Sequence, residues 1–145
     1  MSKPKTQAHL DRAADQRLKK TYGVGLDWYE SELKMQGGVC KLCGNPPGTR
    51  RLHVDHDHKW TKVKIGTEKT PAGNWIAEAT YQGKTYIRFS AKRNDAIRDV
   101  KGFLKRASIR SLLCFRCNSF LVRFNDPAML RKAADYIEKH QGVKP

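Results

Sequence analysis

The sequence predicts an α+β fold: a small metal-stapled core of short strands and helix, interrupted by a β-hairpin-plus-helix lobe and flanked by further helices. Three observations point there. A Cys-x-x-Cys at Cys40 and Cys43 recurs at Cys114 and Cys117. The stretch from His53 to His58 packs three histidines and two aspartates into six residues. Between these motifs, two alternating runs meet at Gln82-Gly83, which is a hairpin signature.

Composition sets the bounds. The chain has 145 residues, one domain's worth, with 29 Lys+Arg against 14 Asp+Glu and a formal net charge of +15. So strong an excess points to a polyanionic partner, since neutralising phosphates releases their counterions. Ribosomal and basic surface-binding proteins share that property. Hydrophobic content is 39% and mean hydropathy is −0.72, low for a self-sufficient core, so a staple is expected. No apolar run approaches the ~20 residues of a membrane span, and Met1–Lys20 is polar throughout, unlike a secretory signal. The cysteines are therefore expected in an intracellular protein, where thiols stay reduced and close pairs bind metal.

Residues 1–8 are expected to be disordered, with Lys3 and Lys5 free for a phosphate backbone. His9–Lys20 carries Leu10, Ala13, Ala14, Arg17 and Leu18 at helical spacing, and Gly23 and Gly25 break the helix. A second helix opens at Leu26, with Asp27 placed to cap it; Trp28, Leu33 and Met35 offer apolar contacts and Gly37-Gly38 ends it. This region, 1–36, reads as a basic helical arm, either bracing the core or touching DNA.

Cys40-Lys41-Leu42-Cys43-Gly44 reads as a metal knuckle whose glycine lets backbone amides curl toward the thiolates. With Cys114 and Cys117 it supplies the four thiolates of a closed structural zinc site, which has no room for a reacting water. A redox pair, or two unrelated pairs of buried cysteines, are the competing readings. Arg50–Val54 is expected to be a short strand leading into the cluster. In a regular strand His53, Asp55 and Asp57 share one face and His56 and His58 the other. A bend after Asp55 points an aspartate at a metal and the next histidine at a water. A polar loop, or a second zinc site of His and Asp, is the bland alternative.

Residues 59–106 form an inserted lobe. Trp75–Tyr81 and Lys84–Ser90 alternate about the Gln82-Gly83 turn; one face carries Trp75, Ala77, Ala79 and Tyr81, and Tyr86 and Arg88 are expected on the solvent side. Ser90 or Asn94 is expected to cap a helix to about Arg106, with Ile97, Val100, Phe103 and Leu104 as its apolar stripe. The lobe either stabilises the core or grips DNA through Arg88, Lys92, Arg93, Arg98, Lys101, Lys105 and Arg106. Ile109–Leu113 reads as a second core strand, Asn118–Arg123 as helix, and residues 37–58 plus 107–125 as the stapled core. Residues 126–145 are a last helix: Asp126 caps it, Pro127 starts it, and Ala128, Leu130, Ala133, Ala134 and Ile137 form a buried stripe up to Gly142.

The combination Cys-x-x-Cys-Gly-x-Pro-Pro, then Leu-His-Val-Asp-His-Asp-His, then Ile-Arg-Ser-Leu-Leu-Cys-x-x-Cys-Asn resembles the phage recombination endonuclease VII family. That family belongs to the His-Me finger, or HNH-like ββα-metal, nucleases. The resemblance implies a structural zinc on Cys40, Cys43, Cys114 and Cys117, and a magnesium or manganese ion on Asp55 and Asn118. It implies His56 as general base, with His53, His58 and Asp57 completing the catalytic set. Hard oxygen donors suit such an ion, and a neutral histidine can take a proton from water near neutral pH. Arg51, Arg88, Lys92, Arg93, Arg110 and Arg116 are the expected DNA contacts. The implied partner is duplex DNA, with branched DNA as an alternative, cut by nicking or double-strand cleavage inside a cell, in the bacterial cytoplasm if phage-encoded. A mobile-element nuclease and a non-catalytic zinc-ribbon binder of DNA or RNA are the alternatives. The chain departs from the family at Ser111, where glycine is usual, and at Leu121, where some relatives carry a carboxylate. Its lobe is longer, and it lacks the helical extension of the swapped dimer, so monomer and homodimer both stay open.

Overall fold

The computed structural model describes residues 6–141, so the expectations for residues 1–5 and for Gly142 lie outside the described residues, while the disorder expected up to residue 8 is corrected at Gln7 and Ala8, which are helical because Thr6 caps the helix ahead of them. Helix α1 runs Gln7–Tyr22: the Thr6 hydroxyl accepts from the His9 amide, and Gly23 closes it in the left-handed conformation (φ 73°). Of its expected apolar positions only Ala14 is buried, and Leu10 is exposed. Helix α2 (Leu26–Met35) follows, and here the expected cap is wrong. Its N-cap is Gly25, and the carboxylate that meets its start is Asp15 of α1, which accepts from the Leu26 amide at 2.9 Å. Asp27 lies inside the first turn. The buried residue of α2 is Tyr29, whose hydroxyl donates to the Leu52 carbonyl at 3.0 Å, while Met35 is exposed.

The first core strand, β1, is His53–His56, beginning three residues later than expected. The reason lies in its partner. Strand β5 (Ile109–Leu113) pairs antiparallel with β1 and reaches back only as far as His53↔Leu113. The register then slips: Asp55 faces Ser111 but His56 faces Ile109, so Arg110 is the extra residue of a bulge. After β1 comes an unforeseen 3-10 turn, His58–Lys62, capped by Asp57. Helix α4 (Phe115–Arg123) follows β5 with Cys114 as N-cap, so it begins before Asn118 rather than at it.

The lobe is a three-stranded antiparallel sheet of β2 (Gly66–Lys69), β3 (Trp75–Tyr81) and β4 (Lys84–Ser90) in that order, with α3 (Arg93–Ala107) against one face. Strands β3 (Trp75–Tyr81) and β4 (Lys84–Ser90) stand where the alternation put them, turning through Gln82 (φ 51°) and Gly83 (φ 75°). Two positive φ values make the turn whose twist suits a tight hairpin. Strand β2 (Gly66–Lys69) was not foreseen, since Gly-Thr-Glu-Lys carries no apolar alternation. The expected orientation of β4 is corrected. Tyr81 pairs with Lys84, so Ala79 faces Tyr86 and Ala77 faces Arg88, and these share the inner face; Ile87 and Phe89 point to solvent. Helix α3 is Arg93–Ala107 and buries Ala96, Val100 and Leu104. Neither Ser90 nor Asn94 caps it: Lys92 holds the N-cap position with no side-chain bond, and Ser90 Oγ accepts from the Lys92 amide.

Two apolar clusters result. Tyr29, Cys40, Leu52, Val54, Leu112 and Leu113 form one; Ala77, Ala79, Tyr81, Ala96, Val100 and Leu104 form the other. Helix α5 (Pro127–His140) starts as expected, with Asp126 accepting from the Ala128 amide at 2.9 Å. Its stripe is not buried: apart from half-buried Leu130, every residue of α5 is exposed. Periodicity gave it an apolar face, but no element of the described chain covers that face.

Candidate active site and metal centre

The cysteine quartet is built by two turns held to one strand. The Gly44 amide bonds the Cys40 carbonyl at 2.9 Å with Gly44 left-handed (φ 71°), which closes the first knuckle. The Lys41 amide bonds the Leu112 carbonyl, and the Gln36 amide group both accepts from and donates to Leu112, fixing that knuckle against β5. The four sulfurs lie within 4.8 Å of one another, so Cys40, Cys43, Cys114 and Cys117 are positioned to bind a metal ion such as zinc. Burial pushes the Cys40 thiol up, but amides of the knuckles aimed at its sulfur outweigh that and bring it below its ordinary value. Burial, with hydrogen bonds from the neighbouring thiols, pushes Cys117 up instead. Among the described residues no other group of three or more His, Cys, Asp or Glu brings its donor atoms this close together.

The second site is a cleft of about 90 Å3 lined by Asp55, His56, Asp57, His58, Arg110 and Asn118 together with Tyr22 and Asn125. Six of the sequence-predicted residues therefore meet: Asp55, His56, Asp57, His58 and Asn118, and Arg110 from among the expected DNA contacts. Asn118 is brought there by the first turn of α4, where its amide bonds the Cys114 carbonyl at 2.9 Å. Asp55 is buried, and the bulge turns Arg110 onto it: Nε lies 2.7 Å from Oδ2 and Nη2 donates to Oδ1 at 2.8 Å. This is a two-pronged, charge-assisted pair.

His56 touches Tyr22 edge-on at 5.3 Å between ring centroids and His58 at 4.4 Å. Burial, then the charge of His58, depresses its pKa below the ordinary histidine value, so His56 is neutral at neutral pH. Asp57 is fully engaged. Its Oδ1 accepts from the Lys59 amide at 2.9 Å and its Oδ2 from the Tyr81 hydroxyl at 3.1 Å. Burial opposes its charge, but these bonds prevail and hold its pKa low, while Tyr81 is pushed up to about 12 by burial and by Asp57. Asp57 thus orients the turn carrying His58 and ties it to the lobe.

His53 does not join the cleft. It lines a neighbouring cavity on the α1 side, with its ring 5.8 Å from Phe115. The expected DNA-contacting cations are scattered. Arg51 pairs with Asp11 at 3.2 Å, and Arg88 lies 3.7 Å over the Phe103 ring on the lobe's inner face. Arg93 donates to Thr67 and sits 5.8 Å from Trp75, while Lys92 and Arg116 are exposed. Sequence reasoning missed Tyr22 and Tyr81, which nothing local marks, and missed that Arg110 serves Asp55.

A sequence model of recombination endonuclease VII matches residues 15–139. The Gene 59 proteins of Mycobacterium phages D29 and L5 are each 46% identical over 44 residues, which is 30% of this chain and 27% of each relative. No solved structure matches. No helix of the described residues is long and apolar enough to cross a membrane.

Proposed function

The chain belongs to the recombination endonuclease VII family, and on that premise we propose that it is a metal-dependent DNA endonuclease of the HNH, ββα-metal kind. Membership implies a nuclease acting on DNA; the rest is our reading of the cleft. The observation that carries it is the convergence of Asp55, His56 and Asn118 on one small cavity at the junction of β1, β5 and α4. A DNA-binding module has no need of that set.

Asp55 and Asn118 offer one carboxylate and one carboxamide oxygen, a donor set that fits a magnesium-class ion keeping several waters. Such an ion would supply charge stabilisation to the phosphate and the departing oxygen. The chain's own residues do the rest. Neutral His56 accepts a proton at its free imidazole nitrogen from the water that attacks phosphorus, as one ester P–O bond breaks. Tyr22 and His58 fix its ring. Asp57, with both oxygens occupied, holds the His58 turn rather than exchanging protons. Arg110 neutralises Asp55 and lines the same cleft, where a phosphate would meet it. Cys114 and Cys117 flank the start of α4, so zinc on the four cysteines would hold that turn, and with it Asn118, in place.

The test is relaxation of supercoiled plasmid by wild type and His56→Ala, each with magnesium, with manganese and with no added ion. The expected result is ion-dependent nicking that His56→Ala abolishes while zinc content and DNA binding persist. Tight DNA binding without cleavage under any ion would replace this reading with that of a non-catalytic zinc-stapled binder.

A further inference from the structure

Asp57 is the point where the lobe meets the catalytic cleft. Its amide donates at 2.9 Å to the carbonyl of Ser108, which ends α3, and its Oδ2 accepts from Tyr81 of β3 at 3.1 Å. The other bonds of the turn stay inside it: Asp57 Oδ1 takes the Lys59 amide, and Thr61 donates to the His58 carbonyl. Such bonds shape the turn but do not decide where it sits. Trp60 seats its far end on the lobe's apolar cluster, and Tyr81 fixes the end that carries His58. His58 is exposed, and among the described residues the aromatic ring it meets is that of His56, at 4.4 Å between centroids.

Tyr81 is suited to such a task. It is 6% exposed and packs with Ala77 and Ala79 in the cluster closed by α3, so its ring cannot move without disturbing that core. Its phenol, pushed up to about 12 by burial and by Asp57, remains a hydrogen-bond donor. The bond is aimed from the other side: Gln82 Nε2 donates to the Tyr81 oxygen at 3.1 Å, which leaves the hydroxyl hydrogen for Asp57. Gln82 holds a left-handed φ of 51°, a conformation that glycine or asparagine takes at less cost. The reach of its amide to Tyr81 gives a reason for glutamine there.

We propose that Tyr81 is a positioning residue for the reaction: through Asp57 it holds the His58 ring against His56, so that the inserted lobe completes the active cleft. The inference rests on the nuclease reading for the task of His56, while the arrangement of the two rings can be observed without it. Tyr81 is buried and is not among the residues lining the cleft, so it acts through its neighbours and not on the substrate. What it supplies is the fixed seat of a ring. Loss of that geometry shows in the rate of the chemical step rather than in binding.

The experiment uses the full chain and two readouts: kcat and KM for plasmid nicking with magnesium, and the NMR contact between the His56 and His58 rings without it. Tyr81→Phe keeps the ring in the core and removes only the hydroxyl. It is expected to lower kcat about tenfold at unchanged KM and to abolish the ring contact. In a His58→Ala background the same change is expected to leave kcat where His58→Ala put it, although it still lowers Tm. Should Tyr81→Phe lose zinc or its fold, Gln82→Gly decides the matter. It relaxes the turn, so Tm holds or rises, yet kcat is expected to fall about twofold as the aim of the Tyr81 hydroxyl is lost. An unchanged kcat or an intact ring contact in Tyr81→Phe overturns the proposal, as does an equal kcat loss with and without His58, or a Gln82→Gly protein as fast as wild type. A wild type that fails to nick plasmid, with the ring contact still dependent on Tyr81, sinks the nuclease reading alone.

Discussion

Replacing Arg110 by methionine separates the structural use of Asp55 from its proposed use as an ion ligand. The Asp55 side chain is 7% exposed and Arg110 46%, and the two bonds between them are 2.7 and 2.8 Å. Removing one member of a buried pair strands the other charge at a cost of about 3–5 kcal/mol. Here water reaches the arginine side and relieves part of that, so about 2 kcal/mol is expected. In a chain of this size that lowers Tm by roughly 4–8 °C. Adding manganese supplies the missing cation. At an ion concentration near a hundred times Kd, binding to the folded state alone adds about 2.7 kcal/mol, enough to recover the loss. In wild type the ion shares the carboxylate with the guanidinium, so its gain is smaller. Unfolding of wild type, Arg110→Met and Asp55→Asn/Arg110→Met, each with and without manganese, reads out all of this without any cleavage assay. The single variant is expected to be the least stable without ion and to gain most from it; the double variant gains nothing. No loss on removing Arg110, or the same manganese gain in all three proteins, would refute both the buried-pair argument and Asp55 as an ion ligand.

Two further outcomes follow from the site. His56 must be neutral to accept a proton, and burial with the charge of His58 lowers its pKa, so kcat/KM falls only as pH drops below the ordinary 6.5; His58→Asn relieves the like charge and moves that acid limb upward, and a limb above 6.5 in wild type counts against His56 as base. Cys117→Ser removes one of four thiolates from a site whose binding energy is folding energy, so zinc content and far-ultraviolet circular dichroism are expected to fall together; a variant that keeps stoichiometric zinc and full ellipticity counts against the quartet as the structural centre.

What could be read from the chain was whatever is local or chemically dense. The β3–β4 hairpin was legible because two short-range signals, alternation and a turn able to take positive φ at Gln82-Gly83, agree. The face of β4 was also recoverable: a two-residue turn pairs Tyr81 with Lys84 and so puts Tyr86 and Arg88 opposite the buried alanines. Ile87 and Phe89 mislead because hydrophobicity alone would turn them inward. The cap of α2 was not recoverable, since Asp15 comes from another helix and its approach depends on how α1 and α2 pack. The same holds at the site. The crowding of histidine and aspartate marked the cleft, and the Cys-x-x-Cys spacing marked the quartet. The bulge that aims Arg110 at Asp55, and the Tyr81 hydroxyl on Asp57, depend on strand register and lobe placement. The stripe of α5 was real as a pattern, but periodicity says only that a helix has an apolar face.

The net charge of +15 overstates the cations free to meet a phosphate backbone, and their placement says where DNA is expected to lie. In the lobe, Arg88 and Arg106 both sit on the Phe103 ring, at 3.7 and 4.4 Å, and Arg98 pairs with Asp95 and Asp99. The outer face of the lobe sheet pairs Ile76 with Phe89 and Glu78 with Ile87, carrying acid and apolar groups rather than base. By contrast the α1 side of the core presents Arg17 and Arg50 without ion-pair partners among the described residues, next to the cleft that holds His56. Each phosphate neutralised steepens the salt dependence of binding by nearly one unit. Arginines already engaged in packing release few counterions. Arg88 and Arg106 are thus partly engaged on Phe103, and the edge formed by α1 and the lead into β1 is expected to be the main electrostatic approach to the cleft that holds His56.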